Sequence, residues 1–205
     1  MKPEHAAFAA AFVLAWPAAA EEGPDVAQIH AFAAEVASQW LDDPAVIEAV
    51  RAQNIAHARL GQVDIDALDQ QWRDERGETS QPLIGEVLSR PLSTALRHRQ
   101  EESGGLLTEI FIMDNLGLNV GQSQETSDYW QGDEAKWQET YGVGPGAMLI
   151  GDIEFDESTG RWQSQLSLTI ADPSDGAAIG AITIGIDREA VERLNGCPIA
   201  RPDCR

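Results

Sequence analysis

The chain has 205 residues, 43% of them hydrophobic, enough for one sizeable domain with a real core and too apolar for a disordered chain. Fourteen Lys and Arg against 34 Asp and Glu give a formal net charge of −20. That charge repels nucleic-acid phosphates and anionic lipid headgroups, which excludes both as expected partners.

The first residues, MKPEHAAFAAAFVLAWPAAAEEGP, read as a secretory signal. A short charged start precedes an apolar run, Pro17 and the small-residue site Ala18–Ala20. Cleavage after Ala20 predicts a periplasmic or secreted protein, and no other segment is long and apolar enough for a membrane helix. Residues 21–105 then read as helical. Val26, Ile29, Phe32, Val36 and Trp40 recur at spacings of three and four. DDPAVIEAVRAQNIAHARLG has Asp42 or Asp43 as N-cap, Pro44 at the first helical position and Gly61 as a C-cap candidate. A shorter helix near Asp64–Arg73 carries Ile65, Leu68 and Trp72, and a fourth is expected over Leu83–Gln100.

From Leu106 the pattern changes to strands: LLTEIFIMD, a tight turn at Asn115–Gly117, LNVGQS, an insertion, AMLIGDIEF, RWQSQLSLTI and AAIGAITIGI. In RWQSQLSLTI, Trp162, Ser164, Leu166, Leu168 and Ile170 alternate with Gln163, Gln165, Ser167 and Thr169. DREAVERL closes as a short helix. Five antiparallel strands behind a helical first half make an α+β domain, with 21–105 packing on the sheet of 106–205 as one unit. Cys197 and Cys204 in CPIARPDC suggest a disulfide closing the last loop, worth roughly 2–3 kcal/mol in an exported chain.

The order FIMDNLGLNVGQS, insertion, DESTGRWQSQLSLTIADPSDGAAIGAITIGID resembles the extracytoplasmic Cache (PDC sensor) domains over about residues 106–187. The resemblance implies a PAS-like five-stranded antiparallel sheet behind long N-terminal helices. It also implies a small molecule bound between sheet and insertion. Members are commonly the outer part of histidine kinases or chemoreceptors. This chain is expected to be a stand-alone soluble member that reports to a membrane sensor kinase.

Within the insertion, TSDYWQGDEAKW concentrates aromatics and charges. Gly132 places the helix start near itself, leaving Thr126–Gln131 as loop. Tyr129 and Trp130 either line a pocket or pack in a core, and Trp137 suits packing at its helical position. Lys136 meets a ligand carboxylate or pairs with Asp133, and Asp128 suits an amine or quaternary ammonium beside Trp130. Together they suit an amino acid, a carboxylate or a betaine-like zwitterion. Gln165 and Ser167, joined by Thr183, are read as a pocket floor.

Enzyme signatures and cofactor fingerprints are missing: no G-x-S-x-G, H-E-x-x-H, P-loop or dinucleotide motif occurs. Asp152, Glu154 and Asp156 fail the EF-hand pattern, whose glycine position is held by Glu157. The competing expectation is a structural or interaction module without a free ligand, dimerising through its N-terminal helices.

Overall fold

Helix α1, Pro44–His57, begins where the sequence places it: the Asp43 side chain accepts from the Ala45 N–H at 2.9 Å, and Pro44 needs no partner in the first turn. The computed structural model describes residues 39–156 and 159–193, with positions 29, 31, 32 and 35. The segment expected to be a signal sequence, residues 1–20, and both cysteines lie outside these described residues. Among the described residues, no helix is long and apolar enough to cross a membrane.

Gly61 does not end α1 but precedes α2, Gln62–Glu75. Its N–H donates to Asp64 Oδ2 at 2.9 Å, so the side chain of the following turn draws Gly61 into the start of the next helix. The expected helix over Leu83–Gln100 is two: α3, Pro82–Ser89, and α4, Pro91–Glu102. Pro91 lacks an N–H and its ring pushes Arg90 out of the helical region, to ψ 145°. Glu75, at the end of α2, caps α3 by accepting from the Leu83 and Ile84 N–H groups at 2.8 and 3.0 Å.

The strands are β1 Leu107–Met113, β2 Asn119–Gln122, β3 Met148–Ile150, β4 Glu154–Asp156, β5 Arg161–Ala171 and β6 Ala178–Asp187. A one-turn helix, α5 (Ala135–Gln138), lies in the insertion, and α6 (Arg188–Arg193) follows β6. All pairings are antiparallel, in the order β2-β1-β6-β5-β3, with β4 also on β5. This is the α+β, PAS-like arrangement expected from the sequence, with six strands where five were expected. AMLIGDIEF divides because four steps separate Ile150 from Glu154 while three separate their partners Leu166 and Gln163. One extra residue interrupts the ladder as a bulge does.

One face of the sheet carries the main core: Ile110, Ile112, Leu166, Leu168, Ile170, Ile182, Ile184 and Ile186 meet Val46, Ile47 and Val50 of α1 and Leu92 and Leu96 of α4. A second core joins Ile65, Trp72, Ile84 and Val87 of α2 and α3 to Leu118 and Tyr129. On the opposite sheet face Phe111, Met113 and Ala181 are covered by Trp137 and Tyr141 from the insertion.

Candidate functional site

The face of the sheet turned away from α1 and α4 is buried yet polar. Period-two alternation puts Gln163, Gln165, Ser167 and Thr169 of β5 there, opposite the leucine face, together with Thr183 of β6. Ser167 and Thr183 pair in register, and their hydroxyls are 2.9 Å apart, both fully buried.

Glu109 of β1 joins them by the alternation that also puts Phe111 and Met113 on this face, and a bulge adds Thr108. The ladder from β1 to β6 shifts between Leu107 and Glu109. Thr108 and Glu109 consequently stand on the same side, over Gly185. A Cβ on Gly185 would lie 2.1 Å from Thr108 Oγ1, 2.8 Å from Gln163 Oε1 and 2.9 Å from Glu109 Cγ, so only glycine leaves room for the cluster. Glu109 Oε1 accepts from Gln163 Nε2 at 2.8 Å and Gln165 Nε2 at 3.0 Å, and Thr108 Oγ1 pairs with Gln163 Oε1. Burial pushes the Glu109 carboxyl above its ordinary value, opposed by the two glutamine bonds and, further off, by the Lys136 charge.

Lys136 comes from α5, above this face. Its Nζ is 2.8 Å from Glu134 Oε2 and 5.4 Å from the centroid of the Phe111 ring. Trp137 donates from Nε1 to the Asp114 carbonyl at 3.1 Å and lies against Tyr141, centroids 4.9 Å apart. Beside them Gln122, opposite Phe111 in register, is fully buried with neither amide atom partnered among the described residues, and the buried Thr169 hydroxyl also lacks a partner among them. Such orphans cost about 1–3 kcal/mol each unless something else satisfies them.

No family model matches this chain, and neither does any curated protein. Among solved structures, the chain is similar to bacterial sensor domains. The extracellular domain of the candidate histidine kinase rpHK1S-Z16 aligns with a TM-score of 0.43 at 15% identity, over 83% of this chain and 62% of that one. This chain therefore spans less than two thirds of that domain. The ligand-binding domain of the Campylobacter jejuni chemoreceptor Tlp3, solved with L-valine, aligns at 0.40 and 13% identity, over 88% and 69% of the two chains. For the E. coli DcuS sensor domain the values are 0.37 and 14%, over 65% of this chain and 93% of that one.

Of the residues singled out in the sequence, Lys136, Trp137, Gln165, Ser167 and Thr183 fall together on or above the polar face. Asp128, Tyr129 and Trp130 do not. Tyr129 stacks on Trp72, centroids 5.4 Å apart, in the helical core at 1% exposure, where burial pushes its phenol up to about 12. The Tyr129 and Trp130 N–H groups both donate to Asp69 Oδ1 at 3.0 Å, and Trp130 Nε1 donates to the Leu116 carbonyl at 2.9 Å. Asp128 accepts from Gln131 Nε2 and lies 3.7 Å from Arg73; burial first, then Glu134 and Asp69, raises its carboxyl. The insertion helix starts at Ala135 rather than near Gly132. Gly132 is instead pressed against the β1–β2 turn: a Cβ on Gly117 would sit 2.6 Å from Gly132 Cα, and one on Gly132 would sit 2.4 Å from Trp130 Nε1.

Glu109, Gln122, Gln163 and Thr169 were not singled out. The one available signal was Glu109 itself, a lone acid inside the apolar run LLTEIFIMD. Its titration yields a prediction. A carboxyl raised in the folded state makes the native protein bind more protons than the unfolded chain between the ordinary value of 4.5 and the raised one. Glu109 therefore opposes folding fully above the raised value, and that cost is relieved as pH falls toward 4.5. Each tenfold change in its acidity constant corresponds to about 1.4 kcal/mol. Glu109→Gln keeps the Oε1 acceptor, so it should stabilise the protein at pH 7, with the gain shrinking toward pH 4.5 in urea titrations. A gain independent of pH would refute the assignment.

Proposed function

We propose that this chain is an exported sensor-type module that binds a small polar organic molecule between the polar sheet face and the insertion. In this reading it presents the bound state to a membrane signalling partner such as a sensor kinase. The observation that carries it is Gln122, fully buried on this face with both amide atoms free of partners among the described residues. An amide in that position both donates and accepts, as a carboxylate or amide ligand group requires. Glu109 on the same face and Lys136 above it supply charges of both signs, which suits an amino acid, a carboxylate or a betaine-like zwitterion. The residues proposed to touch the ligand are Glu109, Gln122, Lys136, Gln165 and Thr169, with Trp137 closing over them and the Ser167–Thr183 pair as floor. The role is binding, without turnover. Residues 21–205 form the exported protein in this reading, with Cys197 and Cys204 bonded to each other.

A thermal-shift and calorimetric screen with amino acids, carboxylates and betaines tests this. A ligand present at 100 times its Kd should add about 2.7 kcal/mol to the stability. Gln122→Leu should leave the fold as stable or more so, because no native hydrogen bond is lost, while abolishing the response.

A second reading has its own support. Trp137 and Tyr141 pack on Phe111 and Met113, filling part of this face with the chain's own side chains. A folded protein that responds to no compound and dimerises with concentration would favour an interaction module.

A further inference from the structure

Arginines in so acidic a chain are expected to be paired, and Arg51, Arg73, Arg76, Arg90, Arg99 and Arg161 each have a carboxylate within 4.0 Å. Arg97 of α4 is the half-buried exception. Its Nη2 donates to the Leu88 carbonyl at 3.1 Å and its Nε to the Ser123 carbonyl at 3.3 Å. Two backbone oxygens thus fix the guanidinium plane without neutralising it, and Nη1 makes no hydrogen bond among the described residues. Arg97 lines a cleft of about 710 Å³ at the end of the sheet, between α4, the start of β1, the chain leaving β2 and the residues that lead into β5 from Thr159. Gln100, Thr108, Ser123, Thr159 and Arg161 share the lining, and Leu88 and Leu107 add apolar wall. Arg161 is engaged with Asp187 at 3.1 Å. Of the two acids among the described lining residues, Glu125 pairs with Arg76 at 3.1 Å and Glu101 is exposed to solvent.

We infer that this cleft is a second binding site, distinct from the polar face beneath the insertion, which takes a small organic oxyanion on the Arg97 guanidinium. A planar fork held in place beforehand forms charge-assisted hydrogen bonds to a carboxylate or phosphate without first being ordered. The hydroxyls and amides of the lining suit the polar remainder of such a molecule, and the volume fits a compound of metabolite size.

Benzoate, phenyl phosphate and the uncharged benzamide form a matched set of probes. Calorimetry should show saturable binding of at least one anion, weakening with added salt, and none of benzamide. The Arg97 Nε–H resonance should move with the same midpoint. Whichever anion binds identifies the favoured oxyanion, carboxylate or phosphate. Arg97→Gln should weaken binding about tenfold or more. Should that variant fail to fold, Arg161→Gln, expected to weaken binding severalfold, and the wild-type resonance carry the test. Gln122→Leu should leave anion binding at the cleft intact, which separates this site from the polar face. Failure of both anions to move the resonance, equal binding of benzamide, or full binding by folded Arg97→Gln would overturn the inference.

Discussion

Asp114→Ala should destabilise the protein by about 3–5 kcal/mol, since several buried donors lose their acceptor at once. Asp114 directly follows β1 and is fully buried. Its Oδ1 accepts from the Leu116 and Leu118 N–H groups at 2.8 and 2.9 Å, which shapes the β1–β2 turn. Its Oδ2 takes Gln53 Nε2 at 2.9 Å and His57 Nδ1 at 2.8 Å, both from α1. Arg90 extends the chain by donating to Gln53 Oε1 at 2.7 Å. Removing the carboxylate leaves the Leu118 N–H and the Gln53 amide buried without these partners. Asp114→Asn, which retains the Oδ1 acceptor, should cost less. Urea midpoints at constant slope measure both, and a loss below about 1 kcal/mol for the alanine variant would contradict this account.

Trp72→Ala should cost a similar amount, about 3–5 kcal/mol, the range for truncating a large buried aromatic. Trp72 has no exposed surface; it stacks on Tyr129 with the planes inclined by 16° and donates from Nε1 to the Thr126 carbonyl at 3.0 Å. The substitution thus removes core volume and an anchor of the segment leading into the insertion. Trp72→Phe, keeping most of the stack, should recover more than half of the loss. Equal losses in the two variants would show that the hydrogen bond, and not the packing, dominates.

These two residues mark what was legible in the sequence. Trp72 could be placed on the buried face of α2 because Ile65, Leu68 and Trp72 follow the helical period, which registers burial directly. The strand alternation of β5 likewise set Gln165 and Ser167 on one face, where the fold places them. The partner of Tyr129 was not legible. Its place depends on Trp72 and Asp69 in α2, far away in sequence, and nothing near Tyr129 encodes that approach. Thr108 was hidden differently: the bulge that turns it to the same side as Glu109 leaves no mark on an apolar run. The break at Pro91 was locally encoded, and there proline outweighed the continuous helical pattern of its flanks.

The backbone contact between Gly117 and Gly132 has a mechanical consequence. The near end of the insertion is clamped to the β1–β2 turn, glycine against glycine, with Trp130 wedged beside them. It has no clearance to pivot. Any swing of the insertion away from the sheet must therefore bend beyond Gly132. The chain is well suited to bend there at Gly144 and Gly146, both at positive φ with open space around them. A hinge there would lie at the β3 end of the insertion, opposite the end held against the β1–β2 turn.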